Sequence, residues 1–423
     1  MTILLSWIFL AGQASAVVMG PLPPAPKPVQ TLTWEDCVAL AAIKSPTLVS
    51  SNYALEASRA SYLASFNGLL PTLTLSNGYA SANTASKPAY TAQGVASMNI
   101  FNMGQVAAIK SASAGYSQAE ANLRQTSASL RFSLRQAFAQ AYFAEKNIEV
   151  AKKILEIQTK NAEEVALKYQ SGKEYKGNMM DAQAKVLQSQ AGLDQVLRSL
   201  RTSRRSLDQQ LGLDEFSETA VTGTVVAQTP PDFPNRMEDF LAFRPDVAVQ
   251  EAVVKTQRAA VNSAESPLWP SLVANYARNR GGFTEFPNTT YGWTAGATLS
   301  YPLFGGGLTS AYYNSKSAKR GLDKTEQDLR TVRDAAIVDL ESTWAAYANT
   351  MDQLQFQEAA LASARQRNNE AEIRYASGLL SFDNWEVIVG EWVNAEQSAI
   401  QARLSAVIAQ AAWEKSLGKA LGE

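Results

Sequence analysis

Few kinds of side chain in this sequence can do covalent or acid–base chemistry, and their types narrow it sharply. The chain contains no histidine, which removes His-dependent triads, imidazole proton transfer and histidine metal ligands together. Its one cysteine, Cys37, excludes an intrachain disulfide and any site built from several thiolates. Carboxylates and lysines remain, so a secreted carboxylate enzyme such as a glycosidase is the enzymatic class left to weigh. That chemistry needs two acids converging on a cleft, and no stretch here reads as one. No catalytic residue, metal site or cofactor is expected. The spacing draws attention instead to two related turns, KYQSGKEY from Lys168 to Tyr175 and RYASGLLS from Arg374 to Ser381. Each follows a long proline-free helical pattern and lies 40 residues before a Leu-Gly pair, Gly172 before Gly212 and Gly378 before Gly418.

The elements that must position these turns are long helices. From about 105 to 171 the helical period holds without a break, with Ile109, Tyr116, Leu123 and Leu130 spaced by sevens and Ala112 and Ala119 beside them. That is the seam of closely packed coiled helices. About 65 residues at 1.5 Å each span about 100 Å, longer than a compact domain. Gly172 can take the left-handed conformation that ends a helix, and a return helix is expected over about 177–212. A second long helix, about 307–376, carries Leu322 and Leu329 in the same sevenfold spacing, and a return helix over about 383–418 follows Gly378.

Ahead of each long helix the period changes from helix to strand. Leu73, Leu75, Asn77 and Tyr79 alternate with Thr72, Thr74, Ser76 and Gly78, and a β-hairpin is expected over about 72–101. The second hairpin, about 271–303, is sharper. Tyr291, Trp293, Leu299 and Tyr301 share one side with small apolar residues, while glycine, threonine and serine fill the other. Aromatics at both ends of such a strand describe a lipid-facing side and a wet side. Helices precede both hairpins: Pro46 and Pro71 are 25 residues apart, as are Pro245 and Pro270. Helix, hairpin, long helix, tip and return helix therefore recur in one order, a first repeat over 31–215 and a second over 236–423, joined by a linker at 216–235 with a short strand at Val221–Val226.

The N-terminus reads as a targeting segment. An apolar run at residues 3–11 precedes Ala14-Ser15-Ala16, so a signal peptide is expected over 1–16, although no basic residue comes before the run. Five prolines between Val17 and Val29 make 17–30 an extended lead-in. The net charge of −1 offers no basic footprint for nucleic acid.

These elements demand an oligomer. A two-stranded hairpin is marginal in water and cannot sit in lipid with open edges. Four strands per chain cannot close a barrel, whereas three chains supply twelve. Rods about 100 Å long must likewise bury their seams against neighbours.

The chain resembles the TolC-type outer-membrane efflux proteins over about residues 31–420. The resemblance is carried by LTWEDCVALAAIKSP at 32–46, RPDVAVQEAVVKTQRAAVNSAESPLWPSL at 244–272, YPLFGGG at 301–307 and the two YxSG tips. It implies a mainly α fold with transmembrane β. Long-helix coiled-coil hairpins would form a trimeric α-barrel across the periplasm of a Gram-negative cell, topped by a twelve-stranded barrel in outer-membrane lipid. It further implies a passive exit duct that works with a periplasmic adaptor (membrane fusion) protein and an inner-membrane transporter. The family's adaptor-docking pattern falls on Arg374, Gly378, Leu379 and Ser381, and in part on Lys168 and Gly172, where Lys173 and Tyr175 depart from it. The family's constriction, built of aspartates past the second tip, has Asp383, Asn384 and Glu386 as its counterparts here. A type I protein secretion duct is the alternative function. A periplasmic coiled-coil adaptor is a weaker one, because it leaves the two hairpins unexplained.

Overall fold

The computed structural model describes residues 31–81, 83, 89–213, 219–233, 236–282, 290–301 and 308–422. The expected signal peptide, the proline-rich lead-in and the PLFGGG segment at 302–307 lie outside the described residues. Strand β1 (Thr31–Leu32) leads into helix α1 (Trp34–Lys44). Thr33 caps α1 reciprocally with Asp36, the hydroxyl accepting from the Asp36 N–H at 3.3 Å and the Asp36 carboxylate accepting from the Thr33 N–H at 3.0 Å. Helix α2 (Pro46–Ser65) starts with proline in its first turn, where no N–H is needed. It passes through a 3-10 turn into strand β2 (Thr72–Ala80), which pairs with β3 (Ala89–Phe101). Asn102 then caps α3 (Met103–Gln170), so strand and rod are nearly continuous. Helix α4 (Lys176–Leu211) returns, and β4 (Ala220–Val221) pairs in parallel with β1.

The second half repeats this order. Helix α5 (Pro245–Glu265) leads to β5 (Ser271–Gly282) and β6 (Thr290–Ser300), followed by α6 (Leu308–Ala376) and α7 (Phe382–Ser416). The two hairpins do not stand apart. Strands β3 and β5 pair antiparallel, giving one four-stranded sheet in the order β2-β3-β5-β6. The pairing register puts Leu75, Tyr276, Trp293 and Leu299 on one face, and Thr74, Asn275, Asn279 and Thr298 on the other.

Helix α3 lies at the centre, packed against α2, α4, α5 and α7, while α6 packs on α5 and α7. Its buried line in the upper half is Ala107, Ala114, Ala121 and Ala128. The seam is thus displaced by two residues from the expected line, on which Ile109, Tyr116 and Leu123 are half-buried and Leu130 alone is buried. A rod enclosed by helices on several sides takes alanine at its closest approaches, and larger residues flank them. The expected strand at Val221–Val226 shrinks to Ala220–Val221, because β1 offers only two residues to pair with.

The four helix-ending glycines also form two kinds. Gly212 and Gly418 end the return helices against backbone, where a Cβ would overlap the carbonyl oxygens of Lys44 and Phe243 respectively. Beside Gly418, buried Arg244 ties three elements together. It pairs with Asp246 at 2.7 Å and Asp339 at 2.8 Å and donates to the Ser416 carbonyl at 3.1 Å.

Candidate functional site at the helical tips and open edges

Both long helices end in the same cap. Gly172 and Gly378 have φ of 72° and 75°. At the first tip the Gly172 N–H donates to the Tyr169 carbonyl at 2.9 Å and the Lys173 N–H to the Lys168 carbonyl at 2.8 Å. At the second, the Gly378 N–H donates to Tyr375 at 3.0 Å and the Leu379 N–H to Arg374 at 2.9 Å. This double closure satisfies carbonyls left over at a helix end and places glycine in the left-handed position. A Cβ at either glycine would meet nothing within 4 Å, so conformation alone demands glycine here.

Behind the second tip lies an aromatic cluster that the sequence reading passed over. Tyr375 is only 2% exposed and stacks on Trp385 at 4.1 Å with the rings 10° apart, while Phe382 meets both edge-on at 6.4 Å. The first tip grips this cluster. Lys168 Nζ donates to the Tyr375 carbonyl at 2.7 Å, lies 3.3 Å from the centre of its ring, and pairs with Glu164 at 3.1 Å. The Tyr375 hydroxyl donates to Glu174 Oε1 at 3.3 Å. Burial, with Glu174 and Glu164 nearby, pushes the Tyr375 phenol up, so it remains a donor. Lys168 is therefore engaged inside the chain. Arg374, Leu379 and Ser381 face outward, Leu379 being 79% exposed. A cluster of tyrosine, phenylalanine and tryptophan one, eight and eleven residues past Arg374 was the signal available in the sequence.

Of the three polar residues beyond the second tip, Asp383 and Asn384 are exposed and unlike the third. Glu386 is half-buried and accepts from Lys185 Nζ of α4 at 2.6 Å. The hydrogen bond to Glu386 raises the Lys185 pKa against the opposing effect of desolvation. This pair closes one end of a groove of about 1080 Å³ between α3, α4 and α7. Glu386 thus joins the two helical hairpins, whereas Asp383 and Asn384 face solvent.

The sides of the chain are unfinished. Strand β2 and strand β6 are the open edges of the sheet. Exposed apolar side chains follow the same two sides down the helices: Tyr53 and Leu63 on α2, Met180 and Leu187 on α4, and Val338, Phe356 and Ile373 on α6. On the sheet, Trp293 (71% exposed), Leu299 and Tyr301 present apolar surface to the outside. Tyr291 holds its register position opposite Arg280, and its side chain lies outside the described residues. Among the described residues no helix is long and apolar enough to cross a membrane, and no group of three or more His, Cys, Asp or Glu could hold a metal ion.

The sequence profile of the outer membrane efflux protein family matches residues 38–213 and 237–419. The chain belongs to that family. It is an outer-membrane protein of the Gram-negative type. Among curated relatives, the pyoverdine export outer membrane protein OpmQ of Pseudomonas aeruginosa is 27% identical over 186 residues, which cover 43% of this chain and 38% of that relative's length. Solved channels carry the fold across almost the whole chain. The outer-membrane channel CmeC of Campylobacter jejuni superposes with a TM-score of 0.81 at 16% identity, over 91% of this chain and 85% of its own. The outer membrane protein VceC of Vibrio cholerae does so with 0.79 at 17% identity, over 92% and 96%. This efflux protein thus has the mainly helical, strand-topped fold of TolC-type channels.

Proposed function

We propose that three copies of this chain close into one conduit that carries solutes passively across the outer membrane, as the exit duct of a tripartite efflux pump. The observation that carries the reading is the matching of open sides. Each layer ends in one element of the first repeat (β2, α2 or α4) and one of the second (β6 or α6). Such a surface is head-to-tail rather than self-complementary, so copies pair β6 to the next β2 and α6 to the next α4, and a ring results when the rotation closes. Three copies give twelve strands, enough to abolish the open edges that lipid forbids. The repeats over 31–215 and 236–423 then alternate around the wall.

The exposed tips are the docking surface for a periplasmic adaptor, with Arg374, Gly378, Leu379 and Ser381 making the main contact and Gly172 a lesser one. Lys168 acts beneath that surface by holding Tyr375. An energised inner-membrane transporter supplies the work. Glu386 and Lys185 hold the entrance narrow, and Asp383 and Asn384 line its approach. Pyoverdine export, named for the relative OpmQ, supports efflux over protein secretion.

The reading is tested in two steps. Native mass spectrometry of detergent-extracted protein should give a trimer, and a monomer in detergent with no channel activity would sink it. Gly378→Asn combined with Leu379→Asp keeps a residue tolerant of positive φ while altering the contact surface. It should abolish export with outer-membrane insertion intact, and normal export would remove the docking role. Loss of protein secretion with drug export intact would favour the secretion duct instead.

A further inference from the structure

The four strands of the sheet carry only two charged side chains, Arg278 and Arg280, both on β5. Register places them on the apolar face. Arg278 stands between Gly94 of β3 and Trp293 of β6, and Arg280 between Ala92 and Tyr291. Their face is the one that carries Leu75, Tyr276 and Leu299, not the face of asparagines and threonines. Arg278 is exposed and Arg280 half-buried. An arginine directed into hydrocarbon costs about 2–4 kcal/mol at the midplane and close to nothing near the interface. Depth therefore decides their role. Arg278 lies four residues before the end of β5 at Gly282, about 13 Å along the strand and about 10 Å in height at the tilt of barrel strands. That end is opposite the end where α5 and α6 enter, so both arginines lie in the outer half of the strand, and their long side chains can snorkel up to the outer headgroups.

We propose that Arg278 and Arg280 form a binding site for the phosphates of an anionic glycolipid in the outer leaflet of the outer membrane. The inference rests on the barrel reading above, which sets the apolar face toward lipid. Residues two apart on a strand are about 7 Å apart on one face, a span that a single lipid phosphate, or the two phosphates of one sugar headgroup, can bridge with charge-assisted hydrogen bonds. Ala92 keeps one flank of Arg280 low, Leu75 covers Gly94 beside Arg278 with apolar surface, and Trp293 provides an interfacial aromatic on the other flank. Neither strand contributes an acid that would oppose an anion. A free anion has no reason to prefer this face, whereas a lipid brings acyl chains onto Leu299 and Leu75.

The test uses the full-length protein in phosphatidylcholine nanodiscs doped with diphosphoryl lipid A, with lipid A retained per protomer read by mass spectrometry. Wild type should retain lipid A, and R278Q/R280Q should retain on the order of tenfold less, the effect of two interfacial charges. R278K/R280K should fall between them. Equal retention by R278Q/R280Q overturns the site. Should that variant fail to insert, wild type alone decides: it must retain diphosphoryl lipid A over its dephosphorylated form, and equal retention of the two overturns the proposal. Displacement of lipid A by inorganic phosphate alone overturns the lipid assignment. Single-channel conductance in planar bilayers of the same lipids separates the readings. A conducting wild type without phosphate preference sinks only this inference, and loss of both conductance and trimer sinks the barrel itself.

Discussion

The Lys168 ammonium of the first tip is hydrogen-bonded at 2.7 Å to the carbonyl oxygen of Tyr375 in the second tip, and also faces that residue's ring. Two helix ends that the repeat makes equivalent are thus joined, and not by equivalent residues. The first tip supplies the clasp and the second supplies what is clasped. Any iris-like motion of one hairpin against the other must break this contact or carry both tips together. The Lys185–Glu386 pair at 2.6 Å adds a second tie between the hairpins, farther from the tips.

Removing these ties should favour the open entrance. Lys168→Met leaves the Tyr375 carbonyl without this donor and removes the cation over the ring, while Glu386→Gln breaks the ion pair. A half-exposed pair contributes only about 0.2–1 kcal/mol, so each single variant should raise mean planar-bilayer conductance by a factor of about 1.5–5. The double variant should exceed either. Asp383→Asn, at a solvent-facing position with no tie, should change conductance least. Equal effects of Asp383→Asn and Glu386→Gln would assign the constriction to local charge rather than to the tie between hairpins.

The glycines allow a comparison free of partner effects. At Gly172 and Gly378 an alanine suffers only the positive φ, a cost of about 1–2 kcal/mol, because its Cβ meets nothing within 4 Å. At Gly212 and Gly418 the added Cβ overlaps backbone carbonyl oxygen of Lys44 and Phe243, which cannot move without shifting α2 or α5. Gly172→Ala and Gly378→Ala should therefore accumulate in the outer membrane as trimers with a slightly lowered melting temperature. Gly212→Ala and Gly418→Ala should accumulate poorly. Similar yields for all four would mean that the return-helix ends give way more easily than their packing implies.

The order of elements was legible because period is a local property: a change from 3.6 to 2 marked each hairpin, and glycine after a long proline-free run marked each tip. Even the aromatic face of β6 could be read from alternation. Lateral facts were not legible. Pairing of β3 with β5 is a contact between distant stretches, and each hairpin taken alone gives no reason to prefer it. The alanine seam of α3 escaped because alanine carries little hydrophobic signal, and only enclosure by several helices makes it the buried position. Lys168 and Glu386 were visible as charges near tips, but their partners, Tyr375 and Lys185, lie across the hairpin interface. The two arginines of β5 could have been found by noting that no other charge occurs in the strands.

Cys37 offers a simple check of the packing where α1 meets α3 and α4. Its thiol is completely buried, and burial together with the nearby Asp36 and Glu35 carboxylates pushes its pKa up to about 12. At pH 8 the thiolate, the reactive form, is scarce and also out of reach. Native protein in detergent should therefore leave a disulfide reagent such as dithiobis(nitrobenzoate) unreacted for hours, and denatured protein should react within minutes. Rapid labelling of the native protein would show that the α1 region opens locally.

Arg244 couples the junction of α5, α6 and α7 to pH. Burial opposes its charge and that of Asp246, yet their hydrogen bonds prevail, holding the guanidinium above and the Asp246 carboxyl below their ordinary values. Because the folded Asp246 pKa lies below its unfolded value, the pair's stabilisation is complete above about pH 4 and disappears as pH falls through the folded value. With no histidine in the chain, no ordinary imidazole titration bends the stability curve between about pH 5 and 8. The melting temperature, followed by helical circular dichroism, should be nearly flat across that range and fall only in acid. Arg244→Met leaves Asp246 half-buried without its cation, which costs about 3–5 kcal/mol. It also lets desolvation raise the carboxyl, so the acid decline should begin at higher pH than in wild type. Arg244→Lys keeps the charge but cannot reach Asp246, Asp339 and the Ser416 carbonyl at once, so it should melt between the two with its acid decline closer to wild type. If Arg244→Met melts at the wild-type temperature with an unshifted acid limb, the tie among α5, α6 and α7 contributes nothing to holding that junction together.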